Sequence, residues 1–236
     1  IKILAIDLGS THLKAGIFSD HGHLLGFASC DHRLHTDAWG GQVYLSEELI
    51  HNVLSIIEQA LLEAEKAGDG PIRLAGIGIA SMAESGLLVD ASTGEARTPI
   101  FPWFDQRSQA QAHRLQINQG AERWLPYHGI RPTFKCSLAK LMWLQDQQPQ
   151  VVNGSRWLGT AEYLAFCLTG EKFTDYSLAG RTYAFRIDEK KWNQDLLLGL
   201  GLPVDLFPVA LPSGSVIGHV QPLVMQKIVG TGATAK

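Results

Sequence analysis

Within eight positions near its start, the chain collects Asp7, Gly9, Ser10, Thr11 and Lys14. A carboxylate, a glycine, two hydroxyls and a cation so closely spaced suit a clamp for phosphate and a metal ion. Glycine lets backbone N–H groups approach an anion, hydroxyls donate to phosphate oxygens, and a carboxylate holds Mg²⁺ directly or through water. There is no G-x-x-x-x-G-K-[ST], and a strand rather than a helix follows, so this is not a P-loop. An ordinary hairpin whose turn contains Asp, Gly and Ser accounts for the same residues.

Two further stretches carry candidate chemistry. Ser81-Met82-Ala83-Glu84-Ser85-Gly86 holds the one charge between Leu74 and Val89, at the end of an apolar strand where α/β sheets gather ligands. Glu84 there either caps a turn or faces a polar ligand. In Pro99–Arg107, Trp103 offers an apolar face to a sugar, and Asp105 and Arg107 can bind hydroxyls or anions. The competing assignment puts Trp103 in the core and Asp105 at the N-cap of a helix Gln106–Gln119. His21 and His23, and then Asp31, His32, His35 and Asp37, have loose metal-ligand spacing. They read as a polar turn and a solvated loop.

The elements that must position these residues follow from periodicity. Ile1–Ile6 reads as a buried strand stopping at Asp7, and Leu13–Ser19 and His23–Ser29 continue it as an antiparallel meander. Ser46 is expected to cap a helix with Glu47 and Glu48 in its first turn and Leu49, Val53, Ile57, Leu61 and Ala64 on one face, ended by Gly68. Arg73–Ala80 reads as a covered central strand, and Leu87–Val89 resumes a strand before an Asp90–Gly94 turn. That order gives an α/β domain with a mixed sheet and a crossover helix. Gly129–Thr133 is a loop, Ser137–Gln147 an amphipathic helix and Arg156–Leu158 a short strand. Thr160 is expected to cap the helix Ala161–Leu168, with Gly170 after it. Thr174–Phe185 reads as a tight turn and strand, followed by a helix around Trp192–Leu198. A long loop is marked by Pro203, Pro208 and Pro212, with short elements at Ser213–Val220 and Gln221–Lys227.

Composition narrows the class. With 236 residues, 45% apolar and 18% charged, the chain can bury a large core. A net charge of -3 without a basic cluster argues against nucleic acid as the main partner. Cys30, Cys136 and Cys167 lie far apart with no C-x-x-C, which fits a reduced, cytoplasmic protein. No apolar run reaches the length of a membrane span. The chain opens inside a strand without an initiator Met or a signal peptide, so its front is expected to be incomplete.

Taken in order, six stretches resemble motifs of the FGGY family of carbohydrate kinases. Asp7–Lys14 is similar to its first phosphate loop, and Gly78–Glu84 to its sugar-contact loop. Trp103–Arg107 resembles W-x-D-x-R, Lys140–Leu144 resembles K-L-x-W-L, Thr174–Thr182 resembles T-D-x-S-x-A-S-x-T, and Pro212–Gly218 resembles P-x-G-x-x-x-G. The resemblance implies a ribonuclease-H-like domain of the actin-like ATPase superfamily, with ATP and Mg²⁺ as cofactors and a small sugar or polyol as substrate. It implies Asp7 at Mg²⁺, Gly9, Ser10 and Thr11 at the transferred phosphate, and Lys14 stabilising its charge. Glu84, Trp103 and Asp105 would border the sugar, with Met82, Ala83, Thr133 and Phe134 as poorer candidates. Many relatives have Gln where Met82 stands and a basic residue or Met where Ala83 stands; Glu at position 84 is glycerol-like, while ketopentose types favour His. The substrate stays open, as does the oligomeric state, a homodimer included. The family's general-base Asp is expected after Gly230-Thr231-Gly232, and no such residue precedes Lys236. The chain is therefore expected to be the amino-terminal, sugar-binding domain of a longer kinase, nearly inactive alone, with most of the adenosine site in a second domain. The rival readings are a degenerate sugar sensor or scaffold, and a chaperone-like or filament-forming member of the superfamily.

Overall fold

The computed structural model describes residues 1–66, 72–119 and 121–224, with backbone only for 118, 119 and 121–123. The chain opens with β1 (Lys2–Leu8), β2 (His12–Ser19) and β3 (Leu24–Asp31), then the short pair β4 (His35–Thr36) and β5 (Gln42–Val43). Helix α1 (Ser46–Ala64) crosses over to β6 (Leu74–Ser81), and β7 (Gly86–Asp90) follows. Next come α2 (Gln109–Gln119), α3 (Ala121–His128), α4 (Ser137–Gln147), α5 (Pro149–Val152), β8 (Ser155–Gly159) and α6 (Thr160–Thr169). The rest is β9 (Phe173–Asp175), α7 (Tyr176–Gly180), β10 (Phe185–Arg186), β11 (Lys191–Trp192), α8 (Gln194–Gly199) and β12 (Val209–Leu211).

The main sheet has the order β3-β2-β1-β6. Its first three strands are antiparallel, and β6 joins β1 in parallel, as a crossover helix requires. This is the expected mixed α/β sheet. Alternation along β1 sends Leu4, Ile6 and Leu8 into the core while Ile3, Ala5 and Asp7 face outward. Leu49, Val53, Ile56, Ile57, Ala60 and Ala64 of α1 pack on the inner face. Burial of each Leu, Val or Ile among them contributes roughly 1.5–3 kcal/mol. Helix and sheet approach closely at Gly26, where a Cβ would lie 2.1 Å from the carbonyl oxygen of Ala60. A second core lies among α2, α4, α8 and the β7–β8 ladder, around Leu115, Leu138, Leu141, Trp157 and Leu197.

Several expectations need correction. β1 does not stop at Asp7 but runs to Leu8, because Asp7 pairs with Lys14 and Leu8 with Leu13 across the ladder. β6 is not covered on both faces: Ala75, Gly76, Gly78 and Ala80 are exposed. Its apolar appearance comes from glycines and alanines that bring little side chain to bury. Ser46 is the first helical residue rather than the cap; Leu45 takes the N-cap, and Ser46 turns inward to Tyr163. Thr160 likewise does not cap α6: Gly159 does, and the Thr160 amide donates to Ser85 O at 3.1 Å. Gly170 ends α6 at φ 82 as expected. The run Ser137–Leu144 of α4 is buried all round, so that helix is not amphipathic along its first two turns. Residues 174–185 contain α7, capped by Asp175 Oδ1, which accepts from Ser177 N and Leu178 N. The small residues there serve tight helical packing. The proline-marked loop contains β12, parallel to β9. Gly68, the end of Gln221–Lys227 and Gly230-Thr231-Gly232 lie outside the described residues.

Candidate active site

The β1–β2 turn presents the first cluster. Asp7 and Lys14 are cross-strand partners, with Nζ 3.2 Å from Oδ2 and both side chains about half exposed (51% and 49%). Between them the chain turns tightly. Gly9 N donates to His12 O at 3.1 Å, and a Cβ on Gly9 would sit 2.7 Å from that same oxygen. Only glycine fits without moving backbone. Ser10 and Thr11 complete the turn.

A second cluster adjoins it. Met82 N donates to Leu8 O at 3.0 Å, so the 82–85 turn starts beside the β1–β2 turn. Glu84 adopts φ 67, a left-handed conformation uncommon for a residue with a Cβ. Its side chain is only 8% exposed and meets Arg181 Nη2 at 2.5 Å. Such strain persists where the surroundings over-determine it, and it clusters at functional positions. Met82, Ala83 and Glu84 line a crevice whose far wall includes Thr174, Leu178 and Thr182. Glu162 lines the same crevice; burial pushes its carboxyl pKa up, against the hydroxyl of Thr174, which donates to it at 2.6 Å.

Trp103 is tied to this turn by its amide, which donates to Ser85 Oγ at 2.9 Å. Its ring carries Lys135 Nζ at 4.9 Å. Phe134 is held from behind by Ser108 Oγ and by Lys140 Nζ, both donating to its carbonyl (3.1 and 3.3 Å). Lys140 also donates to Lys135 O at 2.5 Å and is 1% exposed. Burial pushes its pKa down to about 8 against the opposing pull of Cys136, Glu84 and Asp105. Thr133 is exposed and accepts from Lys135 N at 3.3 Å.

Asp105 belongs to a different assembly. Its Oδ1 accepts from Arg107 N (2.9 Å) and its Oδ2 from Arg107 Nε (2.7 Å). Arg107 Nη1 reaches Asp37 at 2.6 Å, and the guanidinium lies 4.9 Å from the Phe101 and Trp143 rings. Asp105 thus lines a separate hollow with Trp39, Phe104 and Trp143, and α2 starts four residues after it rather than one. The structure ties Trp103 to the Glu84 turn through Ser85, sets Lys135 over the Trp103 ring, and engages Asp105 with Arg107, while Glu84 and Asp105 both act on the buried Lys140 that holds Phe134.

Sequence reasoning gave Arg181, Lys140 and Tyr44 no role of their own and read His32 as part of a solvated loop. His32 and Asp37 are not solvated: His32 is 7% exposed and Asp37's side chain 7%. Periodicity carries no signal for partners 23 to 97 residues away. Among the described residues no group of three or more His, Cys, Asp or Glu side chains is placed to hold a metal ion.

Comparison with known proteins bears on this arrangement. The model of the N-terminal domain of the FGGY family of carbohydrate kinases matches residues 2–234. The chain belongs to that family. It is 32% identical over 223 residues to a glycerol kinase of Herminiimonas arsenicoxydans, covering 92% of this chain and 44% of that protein. A glycerol kinase of Enterococcus casseliflavus is 28% identical over 226 residues, covering 93% of this chain and 44% of that protein. The chain thus spans under half the length of the curated relatives it matches. Among solved structures, the xylulose kinase of Rhodospirillum rubrum superposes with a TM-score of 0.88 at 22% identity, over 97% of this chain and 46% of that one. The glycerol kinase of Plasmodium falciparum with ADP also gives 0.88, at 18% identity, over 96% and 46%. These likenesses show the fold, an α/β fold shared with those kinases.

Proposed function

We propose that the parent protein transfers the γ-phosphoryl group of ATP to a hydroxyl of a small polyol or sugar. The observation that carries this is the junction of the two turns. The Met82–Leu8 hydrogen bond sets a strained, inward-facing carboxylate at Glu84 next to a glycine-hydroxyl-lysine loop. The relatives named glycerol kinase support a polyol of the glycerol class as the first compound to try.

The residues fit the cofactors. Mg²⁺ keeps several waters and takes one or two carboxylates plus phosphate oxygens, and Asp7 offers one half-exposed carboxylate of that kind. With ATP bound, the ion would neutralise charge on the phosphate oxygens. Lys14 would stand against the transferred group, and the Gly9–Thr11 segment would donate backbone and hydroxyl hydrogen bonds to it. Glu84, fixed by Arg181, would accept from substrate hydroxyls, with Trp103 covering the apolar side. Catalysis of this type rests on positioning and charge stabilisation. A further domain, in the part of the relatives outside the match, would supply the group that takes the hydroxyl proton and most of the adenosine site. The reading places the protein in the cytoplasm; no helix among the described residues is long and apolar enough to cross a membrane.

The test is ADP release by the full-length protein with Mg-ATP and a panel of glycerol, tetritols, pentitols, ketopentoses, ketohexoses and aldonates, with Asp7→Ala as control. One compound raising turnover well above background, with the rise abolished in Asp7→Ala, supports the proposal. A folded, ATP-binding protein that no compound stimulates would favour the sensor reading.

A further inference from the structure

Behind the Gly9–Thr11 turn lies a pair of stacked rings. His32 and Tyr44 are parallel within 20° with centroids 3.7 Å apart, and they are 7% and 0% exposed. Both reach the same turn. The His32 ring approaches Gly9 O through Nδ1 at 2.9 Å, and Tyr44 OH donates to Ser10 O at 2.7 Å. The His32 amide donates to Thr11 O at 2.9 Å. Three successive carbonyls of the turn are therefore held by two residues.

A carbonyl oxygen only accepts, so His32 Nδ1 carries the proton that points at Gly9. Burial lowers the pKa of His32, and burial pushes the Tyr44 phenol up to about 12, so the pair works as a neutral imidazole and a neutral phenol. Tyr44 is itself anchored: its backbone exchanges two hydrogen bonds with Ile100, at 3.0 and 2.9 Å. In a trans peptide the C=O and the following N–H point in opposite directions. Holding Gly9 O and Ser10 O against the rings turns the Ser10 and Thr11 amides to the opposite side, away from His32 and Tyr44. Two adjacent amides presented together form an anion-binding concavity.

We propose that His32 and Tyr44 are positioning residues of the phosphate loop: they pull its carbonyls inward so that the Ser10 and Thr11 amides meet a phosphoryl oxygen. The proposal rests on the kinase reading for its consequence in turnover, but the hold on the loop stands on its own. Neither ring touches the reacting atoms.

The test uses Tyr44→Phe and His32→Phe, singly and together, in the full-length protein. Each keeps a ring in the stack and removes one donor. The first readout is hydrogen exchange at the amides of positions 9 and 32, which donate to His12 O and Thr11 O, without nucleotide and with thermal unfolding as a check on folding. Loss of one net hydrogen bond predicts exchange about five-fold faster for each variant. The second is steady-state kinetics: kcat falls and KM for ATP rises, while KM for the polyol stays constant. The combined variant shows both effects more strongly. Unchanged exchange at 9 and 32 in both folded variants overturns the proposal. Faster exchange with unaltered kcat and KM for ATP overturns it too, because the hold would then serve nothing. If the wild-type protein phosphorylates nothing, the kinase reading fails, while the exchange rates still decide whether the rings hold the loop.

Discussion

Replacing Arg107 by Met should be among the most damaging single changes in the chain. The guanidinium bridges Asp37 and Asp105 at 2.6 and 2.7 Å, and the three side chains are 11%, 7% and 4% exposed. Met fills much of the space between Phe101 and Trp143 but leaves two carboxylates buried without a cation. Breaking a buried pair from one side costs about 3–5 kcal/mol, because a charge remains uncompensated. The lost contact with two aromatic faces is contained in that figure. The order of effects matters more than the size. Asp37→Asn and Asp105→Asn, added to Arg107→Met, remove the stranded charges and should restore more than half of the loss, since neighbouring sites couple. Urea unfolding followed by tryptophan fluorescence measures this, provided the slope with denaturant stays constant. A loss under about 1 kcal/mol for Arg107→Met would refute the reasoning, as it is what surface pairs contribute. No recovery in the triple variant would refute it equally.

His128 makes stability depend on mild acid. It is 1% exposed and stacked on Tyr183, and burial pushes its pKa down to about 4 from an ordinary 6.5. The unfolded chain then binds more protons between those values, so stability present above pH 6.5 is lost as pH falls toward 4. The contribution is on the order of 3 kcal/mol, and His128→Phe should flatten that part of a denaturation-against-pH curve relative to wild type. Gly26→Ala should destabilise by about 1–3 kcal/mol through overpacking, since the new methyl meets the α1 backbone; a Tm equal to wild type would contradict the close approach.

The order of strands and helices was legible because amphipathic periods are local. α1 shows this: its inward face follows the 3.6-residue spacing of Leu49, Val53, Ile57 and Ala64. The pairing of Asp7 with Lys14 was legible too, since a hairpin places those residues opposite each other within one turn. What failed was non-local. His32 looked like a loop residue because its partner Gly9 lies 23 positions earlier. Asp105 does not start a helix at Gln106, and the Asp37 that shares Arg107 with it lies far upstream. Caps failed at Ser46 and Thr160 because hydroxyls at helix starts also turn inward to other acceptors. β6 failed because glycine and alanine count as apolar without requiring cover.

The proposed reaction is transfer of a phosphoryl group to a polyol or sugar hydroxyl by the full-length protein. Its most direct test is mass spectrometry of the products formed by the full-length protein from Mg-ATP and glycerol, then from the other compounds of the panel. The account predicts one phosphorylated polyol or sugar accumulating in step with ADP, and none with Asp7→Ala. ADP formed with only free phosphate, or a phosphorylated product undiminished in Asp7→Ala, would contradict it.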